Sequence, residues 1–242
     1  MLRGSKIRAN CNEVTTVTLE KIGDQILSKI AHICPFGSTN RSPNNLAVEK
    51  YIKVKTKSDK TPWLNSELIG LPAVLAVEKM YHEKPDFFTR NNFDIVELYN
   101  LAYAYGVANC EGMAACAYVE ARKMGLYPIR YIRFNPTKES TTDEELNCII
   151  ICSGQQTILV NPWDGIVCNW PKSNNINDVP ELSTYHGHSI EIRKEANRPS
   201  NELVCYSYSF FDLTIEMNRQ KNIESIKLKA LALVQLNSML CN

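Results

Sequence analysis

Cys110 is the fifth residue of GVANCEGMAACAYVEARKMG (106–125). After it, Met113, Ala114, Ala117, Tyr118 and Ala121 recur at helical spacing. They predict a helix from Cys110 to Met124, ended by Gly125, with the cysteine on its buried face. A helix N-terminus presents N–H groups and a partial positive charge. That environment lowers a thiol pKa and favours the thiolate, the form that attacks. Small residues at 114, 115 and 117 allow a sheet to pack closely behind such a nucleophile. The backbone N–H of Cys110 can help to hold an oxyanion. The plainer alternative is that Cys110 is one more buried cysteine, packed as a small hydrophobe.

A thiol nucleophile usually works with an imidazole, and the chain has four. His32 and His82 fall in predicted helices upstream, where surface or packing roles suffice. His186 and His188 stand two apart in TYHGHS, entering a predicted strand, so they point the same way. One of them can reach over the sheet to Cys110. A metal site at this pair would need a third ligand that the sequence does not announce. The nine cysteines are odd in number and none form C-x-x-C. That argues against a disulfide framework or a zinc cluster and points to a reducing compartment. No cofactor is expected.

The surrounding elements follow from periodicity. Helices are predicted over Val17 to Ile33, Leu64 to Met80 (with Pro72 near a first turn), Asp94 to Tyr105 ended by Gly106, and Lys221 to Leu240. Between them, 34–45 and 58–62 read as turns, and Ala47 to Lys55 as a strand or short helix. Residues 1–13 read as a frayed terminus. After Gly125 the period changes. Tyr127 to Phe134 alternates like a strand. Leu146 to Cys152 and Thr157 to Val160 form a pair joined by SGQQ, and Ile166 to Trp170 continues the sheet. Loops are expected over 135–145 and 171–181. Ser189 to Arg193 and Leu203 to Phe210 are further strands. Helices first, then an antiparallel sheet, then a helix make an α+β layout.

Asn-Cys-Glu-Gly at the head of an alanine-rich helix resembles the nucleophile motif of the papain-like and transglutaminase-like superfamily. Downstream, Leu146 to Cys152 begins about where that family has a strand opening on its catalytic His. ILVNPWDG (158–165) resembles the next strand, which ends in the residue that orients the His. The likeness spans residues 94–165. It implies a single papain-like domain with a helical lobe (14–90), the Cys helix and antiparallel sheet (91–215) and a closing helix (219–240). It also implies a site of Cys110, Asn147 and Asn161. Here the sequence departs from the family: Asn147 stands at the position of the His, and Asn161 at that of the Asp. An amide can orient an imidazole, but it cannot take a proton from a thiol. Trp163 is expected to wall the cleft or to close the strand end as a core residue. Asp164 is expected to point away from Asn161. Glu111 suits the helix N-terminus, and Glu120 is expected to pair only loosely with Arg122 or Lys123. Lys221, Lys227 and Lys229 are expected on a solvated face.

Composition removes other classes. The 242 residues carry 27 Lys+Arg against 26 Asp+Glu, a net charge of +1, so nothing electrostatic points to nucleic acid. No apolar run approaches the ~18 residues that cross a bilayer, and MLRGSKIRAN lacks the apolar core of a signal peptide. A cytoplasmic protein is expected. Two functions remain open. One is a cysteine-nucleophile acyl transfer on a protein substrate: proteolysis, deamidation or transglutamination. The other is an inactive fold that binds a protein partner. Many bacterial proteins with this resemblance are effectors delivered into host cells. Asparagine at 23 positions suits a low-G+C pathogen, so a host protein is the implied substrate or partner.

Overall fold

The computed structural model describes residues 16–39, 71–84, 94–154, 156–198 and 213–240. The chain is mixed α+β, with helices around an antiparallel five-stranded sheet. Helices α1 (Thr16–Ile33), α2 (Leu71–Glu83), α3 (Ile95–Tyr105) and α4 (Cys110–Lys123) come first. Strands β1 (Ile129–Asn135), β2 (Leu146–Ser153), β3 (Gln156–Asn161), β4 (Ile166–Asn169) and β5 (Ser189–Ala196) follow, and α5 (Leu213–Leu240) ends the described chain. Strand order is β4-β3-β2-β1-β5. Each pairing is antiparallel, so β1 to β4 form a meander and β5 returns to the free edge of β1.

The two sheet faces carry different layers, as strand alternation requires. Ile129, Tyr131, Ile149, Ile151, Ile158 and Val160 face α4 and α1. Ile132, Phe134, Leu146, Cys148, Ile150 and Leu159 face a cover made of Trp170 and two 3-10 segments, Ile176–Asp178 and Pro180–Tyr185. The expected 171–181 loop is therefore partly helical, and it and the residues up to 185 bury Ile176, Val179, Leu182 and Tyr185 against the sheet. Helix α4 lies at the centre and is buried along Gly112 to Arg122, not only on one face. Its small residues allow this, because Ala114, Ala115, Cys116 and Ala117 have no exposed surface.

Sequence signals placed most boundaries. Asp94 caps α3, accepting from Val96 N at 2.7 Å, and Gly106 ends it at φ 73°. In α2, Pro72 sits in the first turn, where its missing N–H costs nothing. The stretch 64–70, for which a helical start was expected, lies outside the described residues, as do Ala47 to Lys55 and Leu203 to Phe210. Helix α5 begins at Leu213, two turns before the expected Lys221. Among its described side chains, Arg219 docks this early part: Nη2 donates to His32 O at 2.6 Å while the guanidinium lies 4.6 Å from the centre of the Tyr103 ring. Further along, only part of the apolar pattern turns inward. Ile226 and Ala230 are buried against α2 and α3, whereas Leu228, Leu231 and Leu236 stand more than half exposed. Lys221, Lys227 and Lys229 are exposed as expected, with Lys229 reaching Glu78 at 3.2 Å.

Candidate functional site

The approach to Cys110 is pinned from both sides. Gly106 turns the chain out of α3. Residues 36–39 then run beside it, with Phe36 N donating to Gly106 O (3.0 Å) and Thr39 N to Ala108 O (2.8 Å). Asn109 caps α4, its Oδ1 accepting from Gly112 N at 2.8 Å. Cys110 is thus the first helical residue, half-buried, with its sulfur not in a disulfide. The helix N-terminus expected from the sequence is in place.

Asn147 is brought to Cys110. It lies on β2, 2% exposed, on the side that Ile149 and Ile151 present to α4. Its Nδ2 stands 3.7 Å from Cys110 Sγ. Its Oδ1 faces two donors on β1, Arg133 Nε at 3.4 Å and Tyr131 Oη at 3.5 Å, both long for hydrogen bonds. Residue 133 pairs directly with residue 147 across the ladder, so this meeting is fixed by strand register. Arg133 also reaches Glu111 Oε1 (3.1 Å) on α4 and Glu145 Oε2 (3.7 Å) before β2. Glu111 therefore does more than favour a helix end: it ties the Cys110 turn to the sheet. Tyr131 Oη donates to Glu111 O at 3.3 Å or to Asn147. Burial, first, and the nearby Glu111 charge push the Tyr131 hydroxyl far above its ordinary pKa, so it stays protonated.

Asn161 is not brought to Asn147. Ile149 pairs with Val160, and one further step sets Asn161 beside Cys148 on the opposite sheet face. Its Oδ1 accepts from Trp163 N (3.1 Å) and Asp164 N (3.2 Å), and its Nδ2 donates to Asp164 Oδ2 (2.7 Å). Fully buried, it closes its own turn. Asp164 folds back onto Asn161 where the strand geometry had predicted it would point away, because the chain leaves the strand at Pro162. Trp163 sits half-buried at the sheet end and packs against residues of both layers.

Both histidines near the sheet lie in the 3-10 layer. His186 Nε2 is 3.3 Å from Val179 O, and His188 Nε2 is 3.0 Å from Glu144 O. Ile190 packs on the Phe134 side, and alternation puts His188 there too, its ring edge-on to Tyr185 at 5.6 Å. That is the face away from α4. With Nε2 on a carbonyl, Nδ1 of His188 is a buried atom without a hydrogen-bond partner. Among the described residues, no group of three His, Cys, Asp or Glu side chains converges as metal ligands. No described helix is long and apolar enough to cross a membrane.

Sequence reading missed Arg133 and Tyr131. The signal was available in YPIRYIRF, where residues 131 and 133 share one strand face, but linking that face to Asn147 needed the register. Glu120 is the other surprise. It is 6% exposed and accepts from Lys29 Nζ (3.0 Å), Lys123 Nζ (2.9 Å) and Tyr99 Oη (2.9 Å), a buried network and not a loose surface pair. Comparison of the chain with protein-family models, curated proteins and solved structures finds no match.

Proposed function

We propose that this chain is a papain-like domain whose Cys110 is the nucleophile of an acyl transfer on a protein substrate. The observation that carries the reading is Cys110 at the first position of α4, with the Asn147 amide 3.7 Å from its sulfur. The thiolate attacks a substrate carbonyl carbon and the carbonyl π pair moves to oxygen. The helix N-terminus favours that oxyanion. The departing amine takes a proton from solvent as the intermediate collapses, leaving a thioester on Cys110; water or an amine then adds to it, gives a proton to solvent and releases the thiolate. Asn147 supports the thiolate by donating to it. It does not remove the proton, so attack starts from thiolate already formed.

A second reading is favoured by the same amide. Asn147 fills the position where the resemblance places a base, which suits a fold that keeps its cleft and binds a protein partner. An activated ester separates the two. The full chain, treated with p-nitrophenyl acetate and mapped by mass spectrometry, is expected to carry acetyl on Cys110 after a burst of nitrophenol, with no burst in Cys110→Ala. Acetylation spread over lysines without preference for Cys110 would discard the enzyme in favour of the binding module.

A further inference from the structure

Asn147 can present either end of its amide to the sulfur, and its neighbours decide which. Arg133 Nε and Tyr131 Oη both approach the Oδ1 end. Turning the amide over would set its NH2 against a guanidinium that has only donors, and a hydroxyl would have to reverse. The donors on β1 therefore hold the amide with its N–H groups on Cys110. Arg133 is in turn held in place by Glu111 and Glu145, and its side chain is 19% exposed.

We propose that Arg133 is the positioning residue of this site: through Asn147 it aims an N–H donor and a positive charge at Cys110, and so supports the thiolate where an imidazolium would otherwise do so. The inference rests on Cys110 being the nucleophile. Among the described residues, the groups around the sulfur favour Arg133 in this role. Tyr131 on β1, Cys148 on β2 and Tyr185 in the 3-10 layer all lie within electrostatic range of Cys110, and burial holds each of them protonated at neutral pH. The charged groups around these neighbours are Glu111 on α4 itself, Arg133 on β1, Glu144 and Glu145 before β2, Asp164 beyond β3, and Arg193 on β5, which pairs with Glu191 at 3.5 Å. Glu111 opposes the thiolate and Arg133 favours it. Arg133 also neutralises Glu111 at 3.1 Å, so it acts twice in the same direction.

The test is the pH midpoint of iodoacetamide labelling at Cys110 in the full chain, in Arg133→Gln and in Arg133→Lys. Gln keeps a donor for Asn147 but removes the charge. It is expected to raise the midpoint by about one unit, a slowing of about tenfold at a pH below both midpoints. Lys keeps charge and stem but loses the fork, and should fall between the two. Circular dichroism of each variant confirms the fold, and Arg133→Lys preserves the comparison if Arg133→Gln does not fold. A low wild-type midpoint that neither variant moves would overturn the role of Arg133 and leave the nucleophile standing. An ordinary wild-type midpoint would remove both.

Discussion

Glu120→Gln probes the anchor that holds the cysteine helix. Glu120 lies in α4, buried, and bonds Lys29 on α1, Tyr99 on α3 and Lys123 on its own helix. Burial pushes its carboxyl up, but the bonds and charge of Lys123, then the bonds from Lys29 and Tyr99, outweigh this and hold it below the ordinary 4.5. A hydrogen bond to a charged group contributes about 1.5–3 kcal/mol. Lys29 and Lys123 keep 48% and 29% of their side chains exposed, so both can rehydrate once the charge is gone. Gln also keeps an oxygen for Tyr99. The cost should therefore sit at the low end, about 1.5 kcal/mol, and about 3 kcal/mol for Glu120→Ala, which also takes away the acceptor of the buried Tyr99 hydroxyl and leaves it only the Lys123 bond. The sign with pH follows from the direction of the shift. A carboxyl whose folded value lies below its unfolded value contributes fully above the unfolded value, and that contribution fades as pH falls through the folded one. Urea unfolding followed by circular dichroism should show the gap between the two proteins at pH 7, closing as pH falls below 4.5. Equal midpoints at pH 7, or a gap unchanged at pH 3.5, would refute the argument.

Asn147→Asp would replace the donor at 3.7 Å with an anion. At that separation the repulsion is about 4 kcal/mol at an effective dielectric of about 20, offset in part by Arg133. Cys110 labelling at pH 7 should slow by at least about tenfold, measured by peptide mass spectrometry. Gly187→Ala should destabilise by roughly 2–3 kcal/mol in thermal melts. The residue has φ 82°, and an added Cβ would collide with Glu139 O, a backbone atom that cannot swing aside. Cys34 and Cys116 touch in the core, and burial, then the bond and charge between them, hold the Cys116 thiol well above its ordinary pKa. Both should resist iodoacetamide in the folded chain at pH 8 and react only in urea; labelling of either at the rate of Cys110 would contradict the packing described.

The local elements were legible because their signals are local. Gly106 ends α3, alternation gives β1, the apolar run at 146–152 gives β2, and the small residues of α4 announce a helix that something packs against tightly. Cys110 at a helix start was legible from the residues themselves, while Asn147 and Asn161 entered only through the resemblance; the structure sets Asn147 beside the Cys110 sulfur. Asn161 shows where that reading stops. The resemblance implies that it stands near Asn147, but the Ile149–Val160 pairing sends its side chain to the other face. The same limit hid Arg133, which becomes part of the site only through its pairing with residue 147. Glu120 was misread for a related reason. Its pairing includes Lys29, which lies 91 positions away in the sequence. Leu228 and Leu231 show the converse: apolar spacing on α5 continues past the surface that α2 and α3 cover.

The central claim is that the start of α4 and the Asn147 amide hold Cys110 as a thiolate. The direct measurement is the rate of iodoacetamide modification of Cys110 against pH, by peptide mass spectrometry, with Cys110→Ala as control. The account predicts labelling that stays fast down to about pH 6, well below the ~8.5 of a free cysteine. A rate that falls away below about pH 8, or no labelling until the chain unfolds, would contradict it.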